Sequence, residues 1–261
     1  MKKLLSEETY HLKIGWLYPE LMSTYGDRGN IMVLSRRLEW RQMGASVVPI
    51  NFTTTDTEIM SCDILFGGGA QDRQQGMVID DLRERVGPIL KSQIEKNIPG
   101  LFVCGSPQLL GVSYMNYNGE QLQGLNIFDM ESRHFGKKKP RCIGNTIAKI
   151  TGISVSPKDT VVGFENHGGR TYLGKNVQPF AKIIVGNGNN GEDKTEGAVY
   201  NNCIATYAHG PLLPRNPHIA DWIIQKALQI KYKKEIQLQE LNDTLAWQAH
   251  DAMLLRYGVK K

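Results

Sequence analysis

Apolar and polar positions alternate through residues 11–18, His-Leu-Lys-Ile-Gly-Trp-Leu-Tyr, which is the period of a strand. After the turn Tyr25-Gly26-Asp27-Arg28-Gly29 the period lengthens. Ile31, Leu34 and Leu38 recur at helical spacing across 30–43, with Asn30 as cap and Gly44 as stop. Apolar runs at 47–50, 62–66 and 100–104 predict three more strands. The run at 62–66 ends in Gly67-Gly68-Gly69, and the run at 100–104 continues as Cys104-Gly105-Ser106-Pro107. Residues 78–97 predict a helix divided in two at Gly87-Pro88. Pro107 suits the first turn of another helix. Strand and helix alternate, the pattern of an α/β fold with an open, mostly parallel sheet flanked by helices.

From residue 124 to 210 the runs shorten. Residues 145–150, 182–185 and 204–207 read as strands between Gly and Asn turns, and we expect antiparallel additions to the sheet. Asn216-Pro217 caps a helix reaching about residue 230, and a polar helix is predicted from 235 to about 255. With no linker and no internal repeat, the expected division is one domain over 1–232 and a C-terminal helical extension over 233–261.

Composition narrows the class. The chain has 261 residues, 41% hydrophobic and 22% charged, which excludes a disordered tail, a collagen-like repeat and a coiled-coil rod. No apolar run approaches the length of a membrane span. The N-terminus starts basic but soon turns acidic without an apolar core, so no secretory signal is expected. A net charge of +5 spread along the chain permits an anionic partner without demanding one, and no nucleic acid is expected. The one dense basic run, Lys137-Lys138-Lys139 with Arg141 behind it, reads as a solvated loop or as a contact to phosphate or a membrane surface. The four cysteines show no two-residue pairing, which excludes the zinc-ribbon and thioredoxin signatures and fits a reducing, cytoplasmic setting. Cys62, Cys142 and Cys203 read as core residues, and no metal site is expected.

Cys104 is different. It stands where an apolar strand meets a Gly-Ser-Pro turn and a helix, the form of a nucleophile elbow. A side chain there sits at the carboxyl end of a parallel strand, where open α/β sheets bind ligands. The positive end of a helix favours a thiolate, and Gly105 lets the backbone approach a reacting carbonyl. The alternative is a buried apolar cysteine. Of the six histidines, His209 closes a strand before Gly210-Pro211 and offers a base for a cysteine–histidine pair. His167 lies in the polar cluster Phe164-Glu165-Asn166-His167-Gly168-Gly169-Arg170-Thr171. His11 and His250 read as surface residues, and His134 and His218 carry no candidate role. Gly67-Gly68-Gly69 suits a loop whose N–H groups face an anion or oxyanion, or a plain tight turn. A nucleotide reading fails. Residues 186–191 match G-x-G-x-x-G in letters, but Glu192-Asp193-Lys194 and a strand follow instead of a helix, so they read as a hairpin turn.

Together these residues resemble a class I, triad-type glutamine amidotransferase domain of the cobyric acid synthase-like branch. Gly163-Phe164-Glu165-Asn166-His167-Gly168-Gly169-Arg170-Thr171 is similar to that branch's Gly-Tyr-Glu-x-His-x-Gly-Arg-Thr stretch. The Tyr25–Ile31 turn, residues 186–197 and His209-Gly210-Pro211-Leu212-Leu213-Pro214 look like the small glutaminase subunits of lipid II isoglutaminyl synthases. The resemblance runs from about residue 11 to about 232. It implies that Cys104 attacks the glutamine amide, that His209 is its base, and that Gly68 or Gly69 with Gly105 forms the oxyanion hole. It implies that Arg141 holds substrate glutamine, a place that Arg133 and Lys137 to Lys139 also stand near. Asp27 is either a contact for the partner synthetase or a turn-forming residue.

The resemblance further implies L-glutamine as substrate, no cofactor in this chain, and ATP and Mg on a Mur-ligase-like synthetase partner. The ammonia would amidate the α-carboxyl of D-glutamate in the stem peptide of lipid II, placing the chain in the cytoplasm, at the inner membrane face. One position departs from the pattern. Triad glutaminases place a Glu two residues after the histidine, and here that residue is Pro211. Either the site works as a cysteine–histidine dyad or another group orients His209, with Glu165 as the candidate. The rival readings are a cobyrinate-type amidotransferase with another acceptor, an inactive regulatory subunit, and a cysteine hydrolase.

Overall fold

The computed structural model describes residues 10–24 and 26–260, so Tyr25 and the N-terminal stretch read for a leader lie outside the described residues. The alternating first run forms β1 (His11–Leu17). Helix α1 (Arg28–Glu39) begins before its expected cap: Asn30 is buried within it, and its amide oxygen accepts the Leu213 N–H at 2.9 Å. Next come β2 (Gly44–Ile50), α2 (Asp56–Met60) and β3 (Ile64–Gly67). The sequence reading missed α2, although Thr55 and Glu58 form a capping box at its start. The helix expected from residue 78 starts earlier. α3 (Asp72–Asp81) passes through one wide π turn, Leu82–Val86, directly into α4 (Gly87–Glu95). The division expected at Gly87-Pro88 is present as this change of helix type: α4 starts at Gly87, with Pro88 in its first turn, where a proline's missing donor costs no hydrogen bond. β4 (Gly100–Val103) then leads through Cys104 into α5 (Gly105–Leu110).

The second half is built of short strands: β5 (Ser113–Met115), β6 (Gln121–Gln123), β7 (Met130–His134), β8 (Cys142–Ile150), β9 (Thr160–His167), β10 (Gly169–Leu173), β11 (Ala181–Val185), β12 (Thr195–Glu196), β13 (Ala198–Tyr200) and β14 (Cys203–Thr206). Helices α6 (Pro217–Tyr232) and α7 (Thr244–Arg256) follow. The residues between them are not helical, so the last helix starts later than the expected 235.

Three sheets result. The six-stranded sheet runs β13-β14-β4-β3-β1-β2; its strands are parallel except β13, which pairs antiparallel with β14. The four-stranded sheets β10-β7-β5-β6 and β12-β11-β8-β9 are mostly antiparallel. Neighbouring side chains on the central strands serve opposite faces. Ile64, Phe66, Leu101 and Val103 pack with Leu34 and Leu38 of α1 and with Ile219, Ile223 and Leu228 of α6. Leu65 and Phe102 pack with Val78, Leu82 and Val86 and with Leu90 and Ile94 of α4. The buried Arg37 guanidinium pairs with Asp221 and Asp243, each at 2.6 Å, and ties α1 to α6 and the start of α7. His250, expected at the surface, is fully buried, and its ring lies between the Thr160 hydroxyl and the Arg215 carbonyl. Cys62, Cys142 and Cys203 are buried free thiols. Among the described residues no helix is long and apolar enough to cross a membrane.

Candidate functional site

The site lies beyond the carboxyl ends of β3, β4 and β14. Cys104 takes φ 55° and ψ −96°, the strained geometry of a residue turned out between strand and helix. Its N–H donates to the Thr206 carbonyl at 2.9 Å, which pins the elbow to the end of β14. Gly105 packs on the next loop: a Cβ there would come within 2.6 Å of the Ala70 nitrogen. The Ser106 hydroxyl donates to the Gly68 carbonyl at 2.7 Å and couples elbow to loop.

His209 is completely buried. Its backbone exchanges hydrogen bonds with Phe164 of β9, at 2.7 and 3.1 Å. Its imidazole lies beside the Cys104 side chain: a Cβ built on Gly69 would come 3.2 Å from His209 Cε1 and 3.5 Å from Cys104 Cβ. On the other side, its Nδ1 is 3.4 Å from Oδ1 of Asp27, which is also completely buried. Burial favours neutral His209, but the Cys104 charge and the contacts with Asp27 and Cys104 outweigh it, so the imidazole pKa is raised. A cysteine, an imidazole and a carboxylate in this order have the chemistry needed for a nucleophile, a base and a group that orients the base.

Asp27 is the main surprise. Neither alternative from the sequence, a partner contact or a plain turn residue, anticipates a carboxylate inside the site. Helix α1 starts beside it without a side-chain cap, because the carboxylate is used elsewhere. Its Oδ2 accepts the Gly69 N–H at 2.6 Å. That corrects the expectation for Gly69: its donor is taken by Asp27 and does not serve an oxyanion. Ala70, one residue on, lines the cleft and lies against Gly105. Pro211 also finds its reason. It packs on Gly29, where a Cβ would come within 2.4 Å of Pro211 Cγ. The His209-Gly210-Pro211 segment thus rests directly on the turn that carries Asp27.

Glu165 does not orient His209. It is buried and accepts from the Asn187 N–H, the Asn187 amide and the Gly188 N–H, at 2.6, 2.6 and 2.8 Å. It holds the loop over residues 186–191, which joins β11 to β12 as a turn. His167 is buried and stacks on the Tyr207 ring with centroids 3.8 Å apart. Its Nδ1 faces the Gly169 carbonyl at 2.7 Å, and burial pushes its pKa down to about 4, so it is a neutral ring that donates from Nδ1.

A cleft of about 540 Å³ opens beside Cys104. Its walls include Ala70, Gln108, Arg141, Asn166 and His167. The Arg141 guanidinium lies on Asn166, with Nε at 3.1 Å from the amide oxygen and Nη2 at 3.0 Å from both the amide and backbone oxygens. Lys139 pairs with Glu192 instead of lining the cleft, and Lys137 and Lys138 are exposed. The sequence reading missed Asp72, Gln108, Tyr114 and His134 as wall residues. No motif marks them, although Gln108 directly follows the Cys104–Pro107 turn and Asp72 stands three residues past the triple glycine. Among the described residues no group of three His, Cys, Asp or Glu side chains is placed to hold a metal.

A parallel sheet with a cysteine elbow beside a buried histidine has the architecture of the class I glutamine amidotransferases. The glutaminase domain of Trypanosoma brucei CTPS, solved with bound acivicin, shares it over 87% of this chain and 96% of that one, with a TM-score of 0.53 at 11% identity. That likeness concerns the fold. Residues 13–217 match the CobB/CobQ-like glutamine amidotransferase domain, and the chain belongs to that family. A Staphylococcus aureus relative, the lipid II isoglutaminyl synthase (glutamine-hydrolyzing) subunit GatD, is 39% identical over 222 residues, covering 85% of this chain and 86% of the relative. The subunit of the same name in Streptococcus pneumoniae is 38% identical over 245 residues, covering 91% and 88%. A cobyric acid synthase of Listeria innocua is 35% identical over 115 residues, 41% of this chain and 21% of that protein.

Proposed function

We propose that this chain is the glutaminase subunit of a lipid II isoglutaminyl synthase. The observation that carries the chemistry is the buried series Cys104–His209–Asp27 at the head of the cleft. The Cys104 thiolate attacks the side-chain carbonyl carbon of L-glutamine. The carbonyl electron pair moves to oxygen, and the oxyanion is received by the N–H of Gly105 and of Ala70 or Gly68. Collapse of this adduct breaks the C–N bond, and the His209 imidazolium gives its proton to the departing ammonia. His209, now neutral, takes a proton from water as the water attacks the thioester. Glutamate leaves and the thiolate is restored. Asp27 acts through His209 as a positioning residue, and Arg141 receives the substrate α-carboxylate.

Ammonia alone does not form an amide with a carboxylate, which must first be activated. The chain carries no Walker motif. Activation with ATP and Mg is assigned to a Mur-ligase-like synthetase partner, and the acceptor is the α-carboxyl of D-glutamate in the lipid II stem peptide. The reaction would then run in the cytoplasm, at the inner face of the membrane. Two relatives that bear the synthase subunit's name support this reading, each matched over more than four-fifths of its length. The cobyric acid synthase match covers 21% of its protein, so that rival has less support. Pro211 is the ground for an inactive subunit, and the Asp27 carboxylate beside His209 supports the active reading instead.

The test is ammonia release from L-glutamine by wild type and Cys104→Ala, each with and without the synthetase. The expected result is release by wild type, a loss of about 10⁴-fold or more in the variant, and stimulation by the synthetase. No release from any wild-type mixture returns the inactive-subunit reading.

A further inference from the structure

We infer that Asp72 is a specificity-determining residue that receives the α-ammonium of the substrate. The inference rests on the glutaminase reading and deepens it. Free glutamine is a zwitterion, and a site that selects it over a blocked or peptide-bound carboxamide needs a counter-charge for each end. Two guanidinium groups line the cleft, Arg73 and Arg141; Arg141, held on the wall by Asn166, is the one assigned to the carboxylate end. Among the described residues that line the cleft, Asp72 is the one carboxylate.

Asp72 is held in place but not neutralised. It opens α3, just after the Gly67–Ala70 loop. Its Oδ1 accepts the Tyr114 hydroxyl at 2.8 Å and its Oδ2 accepts the Tyr117 N–H at 3.1 Å. Both partners are neutral donors, and each oxygen keeps a further lone pair for a ligand. The Tyr114 phenol is itself buried and its pKa raised, so it stays a donor across the working pH range. His134 places the two charges on the same cleft. Burial lowers its pKa most, while the negative Asp72 opposes that shift and the positive Arg141 adds to it. Asp72 and Arg141 thus both act on one ring of the wall, with opposite signs. A substrate whose carboxamide reaches Cys104 turns its α-carbon toward this pair.

A carboxylate at the first position of a helix also stabilises the helix, and a tyrosine clamp also orders a loop. Substrate preference separates those roles from recognition, because they affect every substrate alike. The experiment compares kcat/KM of wild type and Asp72→Asn, in the presence of the synthetase, on three carboxamides. These are L-glutamine, 4-carbamoylbutanoate (without the α-amino group) and 4-aminobutanamide (without the α-carboxylate). The variant should lose roughly 10- to 100-fold on L-glutamine, mostly in KM, which is the scale of one charge-assisted contact. It should keep its rate on 4-carbamoylbutanoate, so the preference for the amino group collapses. Tyr114→Phe, which removes one of Asp72's partners, should lower L-glutamine and 4-aminobutanamide more than 4-carbamoylbutanoate. Calorimetric binding of L-glutamine and 4-carbamoylbutanoate to Cys104→Ala, with and without Asp72→Asn, reads the same preference without turnover. Equal losses on both ligands in the Asp72 variant overturn the assignment. Absence of any glutamine binding to Cys104→Ala overturns the glutaminase reading and this inference with it.

Discussion

Each half of the molecule supplies part of the site, and each half buries a carboxylate near it. The first half presents Cys104 and the triple-glycine loop at the ends of two strands that pair in register, so their spacing follows from the sheet. The second half delivers His209 through a single bridge to Phe164, beyond the end of β14. Asp27 belongs to the first half and Glu165 to the second, and both are buried. Glu165 is the immediate neighbour of Phe164, yet it does not touch His209. Successive side chains on a strand point to opposite faces, so the residue beside a backbone bridge is turned away from what its neighbour faces. Asp27, 182 residues from His209 in the chain, reaches the imidazole because Pro211 packs on Gly29. Packing between turns decides which carboxylate serves the histidine, and distance along the chain does not.

The sharpest way to break this comparison is to remove each carboxylate in turn. Asp27→Ala leaves Nδ1 of His209 without its orienting partner and also frees the Gly69 N–H. Ammonia release should fall roughly 10²- to 10⁴-fold in kcat, the range for losing the carboxylate of a nucleophile–base–acid series. Steady-state kinetics with the synthetase present will measure it. A loss of less than tenfold would mean that the site works as a cysteine–histidine pair and that Asp27 serves only the Gly69 loop.

The pH profile refines the same point with a smaller effect. His209 is raised from 6.5 to about 10, so the imidazolium that protonates departing ammonia persists through neutral pH. Loss of that proton should give an alkaline limb, falling roughly tenfold per pH unit. Asp27→Ala should move this limb toward lower pH, whereas a Glu165 variant should leave it in place. Stability follows the same sign. A group with a raised folded-state pKa stabilises the fold fully below 6.5, and the contribution disappears as pH rises from there through about 10. Thermal melting of Cys104→Ala across that range tests it, since removing the thiol removes one cause of the shift.

The elements of the first half were legible because burial on both faces writes continuous apolar runs, and because Cys104-Gly105 and the triple glycine mark strand ends. What escaped was what depends on distant contacts. α2 is one short turn-and-a-half whose capping box is brief. The start of α1 was misread because Asn30 looks like a cap but serves Leu213. In the site, Cys104 and His209 were recoverable from local context. Asp27 stands out in the sequence by its motif, but nothing near it points to a histidine 182 residues away. Asp72, Gln108 and His134 come together through three different elements, and a single sequence carries no signal for that.

The smallest expected effect belongs to the other carboxylate. Glu165→Gln removes a charge that accepts three donors from Asn187 and Gly188. Glutamine keeps one acceptor oxygen, so one or two donors in a buried turn lose their partner, at a cost of about 1–3 kcal/mol. The loop over 186–191 should loosen, seen as faster amide exchange at Asn187 and Gly188 and a lower denaturation midpoint. Glutaminase kcat should change by less than about tenfold, because the loop touches neither Cys104 nor the Nδ1 side of His209. If instead Glu165→Gln silences the enzyme while leaving the denaturation midpoint unchanged, the division between the two carboxylates is wrong. The orienting role would then pass back to the second half of the chain.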